Sequence, residues 1–249
     1  MKKMLTFLLL IAASASAGVA NKFPKLPNGW HVHDMDRPLP KVVTPGQTDS
    51  DAPSDAIVLF DGSNFNAWWG GKDGTVPWIL GEGFMEVVPK TGSVLSRQKF
   101  GDVQLHVEWA APAEVVEEAQ RRGNSGVFMM GKYEIQIMDA WENTAYPDGM
   151  AGAVYGQTPA LVNVCKQPGE WQSFDIFFTA PVFKGGELVT PAYVTILQNG
   201  VLVQNHMEIY GPTEHNKAPP YKVHADKLPI VLQNHGQSVR FRNIWVREL

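Results

Sequence analysis

Along most of the chain, short runs of alternating apolar and polar residues are closed by turn-forming residues. The first is Ile57-Val58-Leu59-Phe60, followed by Asp61-Gly62-Ser63-Asn64. Others fall at 84–88, 103–109, 125–130, 133–138, 172–178, 193–198, 201–205, 230–233 and 239–247. A period of two marks strands whose alternate side chains share a face. Asn199-Gly200 lies between two such runs and predicts a hairpin, because both central positions of its turn need positive φ. Only 113–122 carries a helical pattern, and it is short. Many strands at close spacing without helical alternation predict an all-β fold with antiparallel pairing, a sandwich or a barrel.

The N-terminal stretch differs. Lys2 and Lys3 precede an apolar run over 4–13, and small residues lead to Ala15-Ser16-Ala17. This order is that of a secretory signal peptide, expected over 1–17. The run is too short to span a bilayer, which takes about 20 residues. The mature protein is therefore expected to be exported, periplasmic or secreted, with no stable membrane insertion. Residues 18–55 hold Pro24, Pro27, Pro38, Pro40, Pro45 and Pro53, which interrupt helices and inner strands, so an irregular leader is expected there. His31 and His33 within it have metal-like spacing, although a histidine pair in a loop is ordinarily solvated. The folded domain is expected over 56–249. A chain of this size buries an ample core without covalent staples, and Cys165 stands alone. A net charge of −4 without a basic tract disfavours a nucleic-acid partner.

Alternation also sorts candidate chemistry. Leu105, Val107 and Trp109 form an apolar face, with Gln104, His106 and Glu108 opposite. Tyr133, Ile135 and Ile137 face a core, while Glu134 and Gln136 point away; Gln233 and His235 share a side opposite Leu232. A solvated outer sheet accounts for such positions in bland terms. The residue types fit sugar recognition as well, since amides and acids bind hydroxyls and aromatic rings cover a pyranose face. Glu134-x-Gln136-x-x-Asp139 invites comparison with the E-x-D-x-x-E strand of laminarinase-type glycosidases. Retaining enzymes of that kind need two carboxyl groups roughly 5–5.5 Å apart. Here the central acid is an amide, and Asp139 shares the face of Glu134 only through a bulge. Trp109 and Trp245 read as packing, with the side of Trp245 unsettled. Trp68, Trp69, Trp141 and Trp171 sit near turns, where one or two of them are candidates for a sugar platform. Arg240, Arg242 and Arg247 read as a solvated face.

Several motifs resemble the 3-keto-disaccharide hydrolase domain family. They are Leu59-Phe60-Asp61-Gly62 with Trp68, Arg122-Gly123-Asn124-Ser125-Gly126-Val127-Phe128, Tyr133-Glu134-Ile135-Gln136 and Gly152-Ala153-Val154-Tyr155-Gly156. Pro168-Gly169-Glu170-Trp171, Asn199-Gly200-Val201-Leu202-Val203, Leu232-Gln233-Asn234-His235-Gly236 and Val239-Arg240-Phe241-Arg242-Asn243-Ile244 complete the set. Asn234 departs from the family pattern, where an Asp or another polar residue is expected. The resemblance implies a two-sheet, concanavalin A-like jelly roll and a glycoside substrate whose C3 hydroxyl is already a ketone. A C3 ketone acidifies the C2 proton, so cleavage proceeds by proton removal, elimination at C1 and hydration. Such a site needs a base, a donor or cation for the enolate oxygen, and an acid for the leaving oxygen.

His235 is the first candidate for the base and His106 the second. Glu108 and Glu134 are further catalytic candidates, and with His235 they could hold a divalent cation as a Lewis acid. Asn124, Gln136, Tyr155, Gln233 and Trp171 are candidate sugar contacts. A non-catalytic, lectin-like module, an ordinary glycosidase and a structural envelope protein remain rival readings.

Overall fold

The computed structural model describes residues 23–249, so the expected export signal at 1–17 lies outside them. Among the described residues, 23–42 and those from Val43 onward form two compact units. In the first, a short clip pairs Lys25 with His31, and Asp34 accepts hydrogen bonds from the His31 and Asp36 backbone. His31 Nδ1 lies 3.5 Å from Asp34, and His33 packs edge-on against Phe23.

The regular structure of the second unit is almost entirely strand. In chain order these are β1 (Ile57–Phe60), β2 (Trp68–Trp69), β3 (Ile79–Leu80), β4 (Met85–Glu86) and β5 (Val94–Phe100). Next come β6 (Val103–Ala110), β7 (Ser125–Met129), β8 (Tyr133–Ile137), β9 (Gln172–Thr179) and β10 (Val182–Lys184). The last are β11 (Glu187–Thr190), β12 (Tyr193–Gln198), β13 (Val201–Glu208), β14 (Leu228–Leu232) and β15 (Arg240–Glu248). One large sheet runs β13-β12-β9-β6-β15-β4-β3, with β1 also on β15; the other runs β2-β5-β14-β7-β8, and β10 and β11 form a separate two-stranded ribbon. Pairing is antiparallel within both, giving a two-sheet sandwich around one apolar core. Tyr133 of β8 meets Phe178 of β9 across the interior, 5.9 Å between ring centres.

Asn199 and Gly200 take φ of 52° and 78°, as the hairpin requires. The helix expected over 113–122 is absent except for a single 3-10 turn at Ala119–Arg121. Helical propensity alone does not hold a short helix without a packed face, and Val115 and Val116 are 47% and 72% exposed. Strand β5 carries no clean alternation, because Ser96 occupies an inward position. Its hydroxyl accepts from Ile230 N at 2.9 Å and so satisfies the core-side backbone. The phase of Trp245 is set by a bulge in β15, where Asn243 takes φ 44° and two residues face one on β6. Phe241 and Val246 therefore enter the core, while Trp245 turns outward onto His106.

This outer face of the larger sheet holds two of the expected catalytic residues, and it is a closed structural cluster. His106 is 1% exposed; its Nδ1 is 2.7 Å from Asp175, and Trp245 stacks on its ring. Glu108 accepts from Arg242 Nε at 2.6 Å and Asn243 Nδ2 at 2.9 Å. A strap over 43–56 covers the cluster. Ser50 O accepts from Asn243 and Trp245, and Asp55 pairs with Arg247 at 2.8 and 2.9 Å. Burial opposes a charge on His106, but the Asp175 hydrogen bond and the nearby Glu108 carboxylate outweigh it and hold its pKa at about 9. Burial likewise opposes ionisation of Glu108, and the partners around it win, at about 2. The arginines expected on a solvated face are thus mostly engaged. Arg240 completes the pattern, lying over the Phe84 and Trp171 rings.

The raised His106 value contributes stability that is full below its unfolded pKa of 6.5 and fades as pH rises through about 9. The depressed Glu108 value contributes above 4.5 and is lost toward about 2. Thermal unfolding should therefore find Asp175→Asn destabilised by roughly 1–3 kcal/mol at pH 6. The deficit should shrink by pH 9.5; a deficit independent of pH would show that the pair is not charged.

Candidate active site

The smaller sheet builds a different kind of face. Phe128 pairs with Glu134, and Gly126 with Gln136, so these four positions project to the same side, away from Val127 and Ile135 in the core. Gln233 joins them past the end of β14, with its N–H on Gly126 O at 2.9 Å. A side chain at position 126 would bring its Cβ within 2.4 Å of Glu134 Oε1. Glycine is needed here for space, and the Glu134 carboxyl lies over it.

Strand β8 is the last of its sheet, yet its outer edge is not open. Residues 152–155 run along it, with Gln136 N donating to Ala153 O at 3.0 Å and Tyr155 N to Glu134 O at 3.1 Å. The loop between β13 and β14 closes the rest: Glu134 N donates to Thr213 Oγ1 at 3.1 Å, and Thr213 N to Lys132 O at 2.8 Å. These attachments stand Tyr155, Thr213 and His215 over the sheet. With Asn124, Phe128, Glu134, Gln233 and His235 they enclose a cavity of about 250 Å³.

Glu134 is 4% exposed, and burial pushes its carboxyl up to about 8. Gln136, with its nitrogen turned inward, donates to Ser125 O at 3.1 Å and Glu134 Oε1 at 3.2 Å. No cation neutralises Glu134 among the described residues, so it is largely a neutral acid near pH 7. Gln233 Oε1 is buried without a hydrogen-bond partner. A buried orphan acceptor on a cavity wall is a place for a ligand hydroxyl. Asn124 Nδ2 donates to Gln120 O at 2.6 Å, which orients the side chain. His235 is exposed at the mouth, presented by the turn at Gly236 (φ 86°). Asn234 locks that turn from the other side, donating to Val88 O at 2.7 Å and accepting from Gly236 N at 3.0 Å. An aspartate could not make the first of these bonds, which gives the departure at Asn234 a structural use.

Of the expected residues, the cavity gathers Glu134, Asn124, Tyr155, Gln233 and His235, with Gln136 beneath Glu134. It does not gather His106 and Glu108, which lie on the other sheet. The ligand set Glu108, Glu134 and His235 is therefore not assembled, and no group of three potential ligands converges elsewhere among the described residues. Trp171 is also displaced: Arg242 stacks on it at 4.2 Å, beside the Glu108 cluster. Trp68 is buried in the core, and no tryptophan lines the cavity. Asp139 does not join Glu134 but pairs with Arg122, whose Nε is 2.9 Å away. Thr213 and His215 escaped the sequence reading because they sit in a loop without alternation.

Comparison with known proteins agrees with this architecture. The chain is 24% identical over 250 residues to a 3-keto-disaccharide hydrolase of Bacteroides thetaiotaomicron, covering 78% of each. A crystal structure from Parabacteroides distasonis, provisionally described as a glycosyl hydrolase, superposes with a TM-score of 0.83 at 44% identity, covering 91% of this chain and all of that one. A second provisionally described glycosyl hydrolase from the same organism shares the fold, at a TM-score of 0.57, 20% identity and coverage of 84% and 100%. The model of the 3-keto-α-glucoside-1,2-lyase-like domain matches residues 55–247, from the Asp55 clamp to its partner Arg247. This chain belongs to the 3-keto-α-glucoside-1,2-lyase-like domain family.

Proposed function

We propose that this protein cleaves 3-keto-glycosides, 3-keto-disaccharides among them, by proton removal at C2, elimination at C1 and hydration, a net hydrolysis. It would do so outside the cytoplasm, as the N-terminal pattern suggests. Family membership and the name of the Bacteroides relative support the substrate class. The observation that carries the chemistry is the buried Glu134 carboxyl, pushed up to about 8 and facing the cavity beside a histidine.

A ketone at C3 turns C2–H into an acid, so the first demand on the site is a base. His235 fills it, since its imidazole stands at the cavity mouth and has no competing hydrogen-bond partner among the described residues. The second demand is a donor to the oxygen that gains charge. Glu134 in its neutral form is such a donor, and a desolvated setting strengthens the bond as the enolate develops. Gln233 and Asn124 are placed to take ring hydroxyls. None of these roles needs a second carboxylate at the spacing of ordinary glycosidases.

The direct test follows leaving-group release from a 3-keto-glucoside and from its unoxidised parent. Release from the keto-sugar alone is expected. Binding of the parent with release from neither would make the protein a carbohydrate-binding module. His235→Ala should lower kcat on the keto-sugar by about 100-fold or more while leaving thermal unfolding unchanged.

Glu134 supplies a pH prediction. Its raised folded pKa means that stability falls as pH rises from 4.5 toward about 8, by up to a few kcal/mol in all. Glu134→Gln should flatten that slope and abolish the loss of activity above about pH 8; an unaltered alkaline limb would remove Glu134 from the donor role. Gly126→Ala forces the carboxyl aside. It should destabilise by about 1–3 kcal/mol and depress turnover, as unfolding curves and kinetics would show.

A further inference from the structure

The cavity above Gly126 does not stand alone. On the far side of Tyr155 lies a second one of about 440 Å³, lined by Tyr146, Asp148, Glu214, Asn216 and Lys217 as well as Tyr155 itself. Tyr155 is the residue common to both. Its hydroxyl is 2.7 Å from Tyr146 Oη and 3.1 Å from His215 Nδ1, and His215 Nε2 is 2.9 Å from Asn216 Nδ2.

These contacts allow an arrangement that leaves the Tyr155 hydrogen unspent. In it the Asn216 amide donates to Nε2, and neutral His215 gives its Nδ1 hydrogen to Tyr155 Oη. Tyr146 is the outer member of the pair, 42% exposed, and its hydroxyl is free to donate inward. With two hydrogens received, Tyr155 has its own left to direct at whatever lies between the cavities. Burial keeps the phenol protonated well above the usual tyrosine range.

We propose that the second cavity is the leaving-group subsite and that Tyr155 delivers the proton to the departing glycosidic oxygen. This rests on the reading of the first cavity as the 3-keto-sugar site. The keto ring then occupies the cavity with Glu134 and His235, and the bond to be broken crosses at Tyr155. The lining of the second cavity, with tyrosine, amide, carboxylate and ammonium groups, suits a hydroxylated ring, so the leaving group is a second sugar.

The step balances. His235 takes the C2 proton, and the electron pair passes into the enolate. As the ketone re-forms, the C1–O bond breaks and a C1–C2 double bond appears. The departing oxygen takes the Tyr155 proton, leaving a phenolate held by His215 and Tyr146. In hydration, water adds its oxygen to C1 and gives a proton to Tyr155, while His235 returns a proton to C2. His215 acts here as a positioning residue.

The test uses leaving groups that differ in their need for a proton. Tyr155→Phe should lower kcat on a 3-keto-disaccharide at least 100-fold more than on a 4-nitrophenyl 3-keto-glucoside, whose leaving group departs as an anion. Equal losses on both substrates would overturn the role of Tyr155. His215→Asn retains a donor and should keep more of the disaccharide activity than His215→Leu; equal losses would remove His215 from positioning. Ala218 also lines the second cavity; Ala218→Trp fills it and should raise KM for the disaccharide at least ten-fold more than for a methyl 3-keto-glucoside. A matched change would place the leaving group elsewhere. Absence of release by the wild-type protein from any keto-substrate would instead refute the proposed function itself.

Discussion

An outermost strand must find partners for its outward N–H and C=O groups, and the way β8 meets that demand builds the site. Residues 152–155 and Thr213 take the free edge at Glu134 and Gln136. A strand edge left bare is a liability for pairing with other chains. Covering this one does more than protect it. The same backbone bonds lift Tyr155 and the Thr213–His215 loop above the sheet and turn a surface that would be wet into a walled cavity. Backbone saturation and the building of the cavity are here one arrangement.

The two sheets treat buried ionisable groups in opposite ways. On the larger sheet His106, Asp175, Glu108 and Arg242 neutralise one another, and the strap seals them. The charges of His106 and Glu108 are held across the neutral range, which suits architecture and offers little to a reaction. On the smaller sheet Glu134 has desolvation without a cation among the described residues, so its carboxyl keeps its proton up to about pH 8. A paired group resists titration, while an unpaired one is poised for it. That contrast separates scaffold from chemistry more clearly than burial alone.

Period-two alternation made the faces legible. It placed Glu134, Gln136, Gln233 and His235 away from the core, and the structure has them so. Alternation names a face and not a sheet, which is why His106 and Glu108 read like the others and belong elsewhere. Strand β5 was hidden because a serine stands in its inward phase and is satisfied by a neighbouring strand. The bulge at Asn243 left no mark in the pattern, since a single inserted residue merely reverses the phase beyond it. His215 was illegible for a simpler reason. A histidine in a loop gains meaning only from what the chain brings beside it, and Tyr155 is 60 residues away in sequence.

The strand that opens the sandwich and the strand that closes it lie side by side, Ile57 against Val246, with Asp55 clamped to Arg247 beside them. The matched domain thus begins and ends at one seam, on the sheet opposite the one that carries Glu134. Its connectivity is nearly a ring. Joining the two ends with a short linker and reopening the chain at an exposed hairpin, such as Gly185-Gly186, would preserve every strand pairing. The same seam allows other modules to be attached at either end without burdening the cleft.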